Sequence, residues 1–221
     1  MECFRICPFL TVPSVRFVPL ECARSTYLYM PILIAATTGM RRGEVLGLRW
    51  SDLDLDTGMA SVRQTLESTK AGLIFKQPKT ARSRRRLSLL TMTVQALRAH
   101  RTEQNKARLA LGPAYEDHGL VCARADGRPI NPRQLSKDFL SLLRRADGLP
   151  RIRFHDLRHT HATQLLRQDV HPKIVSERLG HATIAITLDT YSHVMPGMQE
   201  DAALRLDAVL QVAINARNGN K

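Results

Sequence analysis

A chain of 221 residues with 33 Lys and Arg against 20 Asp and Glu carries a formal charge of +13 and an isoelectric point near 10.3. That length can bury the core of one large domain, and that charge favours a polyanionic partner, either nucleic acid or an acidic membrane surface. The longest apolar run, Met30 to Thr38, contains Pro31 and falls far short of the roughly 20 residues of a spanning helix, which excludes a membrane span.

The N-terminus, MECFRICPFLTVPSVRF, places Glu2 and Arg5 among its apolar residues and lacks a clear apolar core followed by a small-residue cleavage site. A cytoplasmic protein is the expectation. Cys3, Cys7, Cys22 and Cys122 form no CxxC pair, which argues against a disulfide framework and a structural zinc site.

Residues 1–24 carry Pro8, Pro13 and Pro19 without a sustained helical period and read as an unassigned or partly disordered lead-in. A helix is expected through LYMPILIAATTG, stopping near Gly39, where glycine takes the left-handed C-terminal conformation. A second begins at RRGEVLGLRW. MASVRQTLES, GLIFKQPK and RRRLSLL are short β-rich stretches separated by turn residues, the pattern of a small antiparallel sheet near residues 59–90. Thr91 is placed to cap a helix running through Val94 and Leu97. Asn131 and Pro132 open another, with Phe139, Leu140, Leu142 and Leu143 as its apolar face. Helices near 155–168, 172–179 and 183–191 follow, then an amphipathic stretch, DAALRLDAVLQVAI, after the Pro196-Gly197 break. The fold class is α+β, mainly helical.

Between Phe154 and His193 the chain reads FHDLRHTHAT, LGHAT and TLDTYSH, which gathers His155, Arg158, His181 and Tyr191. These side chains suit the breaking of a phosphodiester without a metal. A guanidinium fork matches two phosphate oxygens, imidazoles can bond a third oxygen or move a proton, and a tyrosine hydroxyl can attack phosphorus. Upstream, TGMRRGE ends one helix at Gly39 and presents Arg41 in the turn before the next, with Glu44 near enough to orient it. QPKTARSRRRLSL places Lys79 at a hairpin turn between two strands, where an ammonium could protonate a leaving oxygen.

With TGMRRGE, PKT, HDLRH, LGH and TYSH in this order, the sequence resembles the catalytic domain of the tyrosine recombinases, or phage integrases, from about Leu28 to Pro196. Five spaced signatures must coincide, so the combination is specific although each motif alone is weak. The resemblance implies a tyrosine recombinase catalytic-domain fold over residues 25–198, followed by a C-terminal helix and tail at 199–221 that docks in trans. It implies that Tyr191 attacks the scissile phosphate to give a 3'-phosphotyrosine and a free 5'-hydroxyl. Arg41 and Arg158 would clamp the non-bridging oxygens, His181 would donate to the same phosphate, His155 would assist proton movement at the tyrosine, and Lys79 would protonate the 5'-oxygen. Glu44 and His193 would support the site. No cofactor and no metal are implied. The implied partners are double-stranded DNA, a homotetramer in the synaptic complex, and accessory DNA-bending or directionality factors. Members usually carry a helical DNA-binding domain ahead of the catalytic one, so residues 1–24 suggest a truncated or decayed start.

From Lys76 to Arg108 there are ten Lys and Arg and one acid, Glu103. Such a run is commonly a solvated face, but its position around Lys79 favours phosphate contact by Arg82, Arg84, Arg85 and Arg86 on a hairpin, joined by Arg42. His155, His159 and His161 could be read as a metal cluster, since positions i and i+4 share a helical face, but no acidic residue completes HExxH. His159 and His161 read better as packing or capping groups. A competing functional reading is a catalytically unproductive DNA-binding module or regulatory fragment in which KIVSERLGHATIAITLDTYSHV acts as a helix-turn-helix.

Overall fold

A computed structural model of the chain describes residues 18–77, 84–146 and 151–192, with 203–204, 206–208 and 210–211 beyond them. The first element corrects an expectation. Val18–Ala23 forms a helix, α1, packed against the second and fifth helices, and Ala23 is fully buried. Pro19 does not prevent it, because a missing N–H is tolerated in the first helical turn.

The centre of the fold is α2, Tyr29–Thr38, whose residues Met30 to Ala35 are all buried. A helix apolar on every side belongs in a core, and α2 has neighbours on several sides: α1, α3 (Arg42–Gly47), α4 (Thr91–Leu111) and α6 (Asp156–Arg167). It stops as the sequence predicts. The Thr37 and Thr38 hydroxyls donate back to Leu33 O and Ile34 O, and Gly39 follows at φ +69° as a left-handed cap.

The β region differs from the expected single sheet. β1 (Leu53–Asp54), β2 (Met59–Val62) and β5 (Arg85–Ser88) form one antiparallel sheet in the order β1-β2-β5, with Ala60 opposite Leu87. β3 (Thr65–Thr69) and β4 (Gly72–Lys76) pair as a separate hairpin. MASVRQTLES is therefore two strands, divided where the Gln64 amide donates to Gly47 O at 2.7 Å. Among the described residues, β4 and β5 sit in different sheets and do not pair with each other. Lys79 and Arg82 lie outside the described residues.

The helices that follow are close to expectation. In α4, Leu90 is the N-cap and Thr91 the first helical residue, so Thr91 does not act as the cap. α5 (Pro132–Arg145) opens on Asn131, whose side chain accepts from Arg133 N at 2.9 Å, and buries Leu135, Phe139 and Leu143 along one face. α6, α7 (Pro172–Leu179) and α8 (Ile184–Tyr191) enclose a smaller apolar cluster of Ala162, Leu166, Val175 and Leu179 beside the main core. The residues described from 203 to 211 are helical and exposed. Among the described residues no helix is long and apolar enough to cross a membrane.

Candidate active site

Two left-handed glycines shape the site. Gly39 ends α2 and Gly180 ends α7, at φ +69° and +68°, and each turns its carbonyl toward an arginine. Arg158 donates to Gly39 O at 2.7 Å and to Leu179 O at 2.8 Å, while Arg41 reaches Gly180 O at 3.4 Å. Arg158 is only 4% exposed, and burial, then the neighbouring Arg41, lower its guanidinium to about 10, so it remains charged at neutral pH. The two carbonyls fix its plane and leave other N–H groups for a ligand.

Arg41 enters from the N-terminus of α3. Its backbone N–H and its guanidinium both bond Glu44, at 2.9 and 3.0 Å. Glu44 also takes both arms of Arg85, at 3.1 and 2.8 Å, in a pair whose side chains are each 7% exposed. Burial alone would raise the Glu44 carboxyl, yet Arg85 and Arg41 hold it below the usual carboxylate range. Arg85 thus departs from the expected DNA-facing row. Strand alternation turns Arg84 and Arg86 outward and Arg85 inward, where its Nε also donates to Arg178 O at 2.8 Å. Arg84 and Arg86 stay exposed and, with Arg63 and the floor contributed by Arg85, line a basic cleft of about 440 Å³.

The remaining groups come from α6 to α8. Tyr191 is 1% exposed, its ring packed in the smaller cluster and its hydroxyl 2.8 Å from Nδ1 of His159. Burial raises its phenol to about 12, against the opposing effect of Arg158. His181 holds Nδ1 at 2.8 Å from the Thr187 hydroxyl, and burial, then Arg158 and Arg41, lower it to about 4. It is neutral near pH 7, and the Nε2–H tautomer, in which Thr187 donates to Nδ1, is the one that offers a donor to the cleft. His155 precedes α6 and is exposed, its ring edge-on to His159 at 5.2 Å.

Arg41, His155, Arg158, His159, His181 and Tyr191 therefore surround one cleft of about 460 Å³. A larger cleft of about 810 Å³ adjoins it through Arg41 and His155 and adds Arg42, Arg133 and Arg153. Arg42 is half-buried and donates to the Ser136 hydroxyl at 2.6 Å. His193 lies outside the described residues. His161 faces away: its Nδ1 donates to Ala36 O at 2.9 Å and its Nε2 accepts from Arg178 at 2.9 Å, so it cannot join His155 and His159 around an ion. His159 and Arg85 were named from the sequence but in other roles, His159 as a packing or capping group and Arg85 as a phosphate contact. The i, i+4 spacing of His155 and His159 was the available signal, since it sets both rings on one helical face.

The family model for the phage integrase family matches residues 18–197. The chain belongs to that family. A XerC-like tyrosine recombinase from Caldanaerobacter subterraneus subsp. tengcongensis is 34% identical over 199 residues, covering 85% of this chain and 51% of that protein. The ICEBs1 integrase of Bacillus subtilis is 29% identical, over 80% of this chain and 48% of that protein. This integrase-family chain thus spans about half the length of these curated relatives. Among solved structures, the Tn1549 transposon integrase in complex with transposon right end DNA superposes with a TM-score of 0.74 at 21% identity, covering 90% of this chain and 65% of that one. XerA recombinase superposes at 0.61, with 23% identity over 87% of this chain and 61% of that one. These likenesses give the fold: a tyrosine recombinase catalytic domain, mainly helical with small antiparallel sheets.

Proposed function

We propose that the chain is the catalytic portion of a site-specific DNA recombinase that cleaves and rejoins double-stranded DNA in the cytoplasm through a 3'-phosphotyrosine. The observation that carries this reading is the convergence of Arg41, Arg158, His181 and the Tyr191 hydroxyl on one cleft. A scissile phosphate in that cleft meets two guanidinium groups and a neutral imidazole donor. Phosphoryl transfer needs mainly positioning and charge stabilisation, and a preorganised donor of this kind supplies about 3 kcal/mol. Tyr191 is the nucleophile and Lys79 the acid for the leaving 5'-oxygen. Glu44 holds Arg41, and His155 backs proton movement at Tyr191 through its contact with His159. His193 supports the same site.

Arg42, Arg82, Arg84 and Arg86 contact phosphates beside the cleft. The working assembly is a homotetramer on two duplexes, with accessory DNA-bending or directionality factors setting direction. Ile184, Ile186 and Leu188 on α8, together with Leu204, Leu206 and Leu210, expose apolar surface that supports contacts between protomers. The test is a nicked duplex that traps the covalent intermediate, incubated in EDTA. A protein-DNA adduct with the wild-type chain and none with Tyr191→Phe is the expected result. An adduct that survives Tyr191→Phe overturns the assignment.

A further inference from the structure

Resting on that reading, we propose that His159, and not His155, is the group that takes the proton from Tyr191. Geometry singles it out. Nδ1 of His159 lies 2.8 Å from the Tyr191 oxygen, with the ring centroids 5.8 Å apart, whereas no hydrogen bond joins His155 to Tyr191 among the described residues. The oxygen is buried in the wall of the cleft, so bulk water is poorly placed to receive the proton. A base must be within hydrogen-bond reach of the proton it removes, and His159 meets that condition before substrate arrives.

The surroundings keep His159 in the form that can accept. Burial lowers its pKa, Asp156 opposes, and Arg158 and Arg153 lower it further. His155 on the same helical face, exposed but with part of its ring shielded from water, is shifted downward by that shielding, then by His159 and Arg158, and His181 in the α7–α8 turn is lowered to about 4 by burial, Arg158 and Arg41. Tyr191, from α8, completes the set of titratable groups facing the ring. With Nε2 protonated, the Nδ1 lone pair receives the Tyr191 proton. The Tyr191 O–H bond breaks as the O–P bond forms. The P–O5' bond then breaks, and its electron pair leaves with the 5'-oxygen, which takes a proton from the acid on the far side. Religation returns the proton from His159 to Tyr191. His155, edge-on to His159, is a positioning residue that holds the imidazole plane.

Two measurements test this separately from the recombinase reading. In isotope-edited histidine spectra of the chain near neutral pH, assigned with His159→Asn, His159 should be the neutral Nε2–H tautomer, and its Nδ1 resonance should move in Tyr191→Phe. An Nδ1–H tautomer overturns the proposal whatever the chain does to DNA, because that ring can only donate to the phenol. In the trapping assay, His159→Asn keeps a polar group near the hydroxyl but cannot take a proton, and adduct formation should slow on the order of 100-fold. A more acidic fluorotyrosine at position 191 should recover part of that loss, and the fall in rate at acid pH, centred below the ordinary histidine value, should disappear. A His159→Asn chain that cleaves at the wild-type rate overturns the proposal. So does a loss that the fluorotyrosine leaves untouched, since a purely structural role predicts that.

Discussion

Arg41 and Arg85 share one carboxylate, Glu44, but removing each should have opposite consequences. The Arg41 side chain is 42% exposed and faces the cleft, so its ion pair with Glu44 is screened and contributes under about 1 kcal/mol. Arg41→Ala should therefore leave urea unfolding nearly unchanged while lowering adduct formation by about 100-fold or more. Arg85→Ala leaves the buried Glu44 carboxylate with only the half-exposed Arg41 guanidinium and the Arg41 backbone N–H. A loss of about 2–3 kcal/mol in the same unfolding experiment is expected, since the buried carboxylate loses its two best-shielded charged hydrogen bonds and keeps only those from Arg41. His161 adds a pH dependence with a definite sign. Burial, then Arg178, depress it to about 4 in the folded chain, against about 6.5 unfolded. Above pH 6.5 neither state binds the proton. Between about 6.5 and 4 only the unfolded chain binds it, so stability falls as pH drops, by up to roughly 3 kcal/mol from this group. Unfolding midpoints measured across that window should fall less steeply for His161→Gln, which keeps a donor and an acceptor but no titration.

At the scale of elements, the left-handed caps of α2 and α7 set the arginines, and Gly39 is the more constrained of the two. A Cβ there would lie 2.7 Å from His161 Cδ2 and 2.8 Å from Leu179 Cδ2, at a φ that L side chains rarely adopt. Gly39→Ala should cost about 2 kcal/mol or more and should also lower cleavage, because the displaced carbonyl is one of the two holding Arg158. Loss of stability without loss of cleavage would separate cap from clamp. The stop at Gly39 was legible in the sequence, as were the starts of α5 and α7, because caps and prolines act within a few residues. Strand pairing was not. Whether β5 pairs with β4 or β2 is decided by long-range packing, and the short stretches between residues 59 and 88 carry no local sign of their partners. The inward turn of Arg85 follows from that pairing, which is why three consecutive arginines read as one basic run. His159 was hidden for a different reason: a histidine beside a motif reads as packing until the tyrosine on another helix is brought against it.

For the whole molecule, the charge of +13 is unevenly useful. An arginine neutralised by a buried carboxylate releases no counterion when DNA binds, whereas an exposed arginine on a phosphate releases close to one. Arg84, just before β5, and Arg86, on β5, are exposed, and Arg85, between them, is locked to Glu44. Three adjacent residues of the same type should therefore behave differently in one assay. Arg84→Ala and Arg86→Ala should each reduce the slope of log K against log salt by about one, and should weaken binding to specific and unrelated duplexes alike, because phosphate contacts carry no base information. Arg85→Ala, measured well below its unfolding temperature, should leave the slope in place while shifting the melting curve. If Arg85→Ala flattened the slope as much as its neighbours do, its guanidinium would have to leave Glu44 to reach DNA, and the buried bridge beneath Arg41 would be a feature of the free chain only.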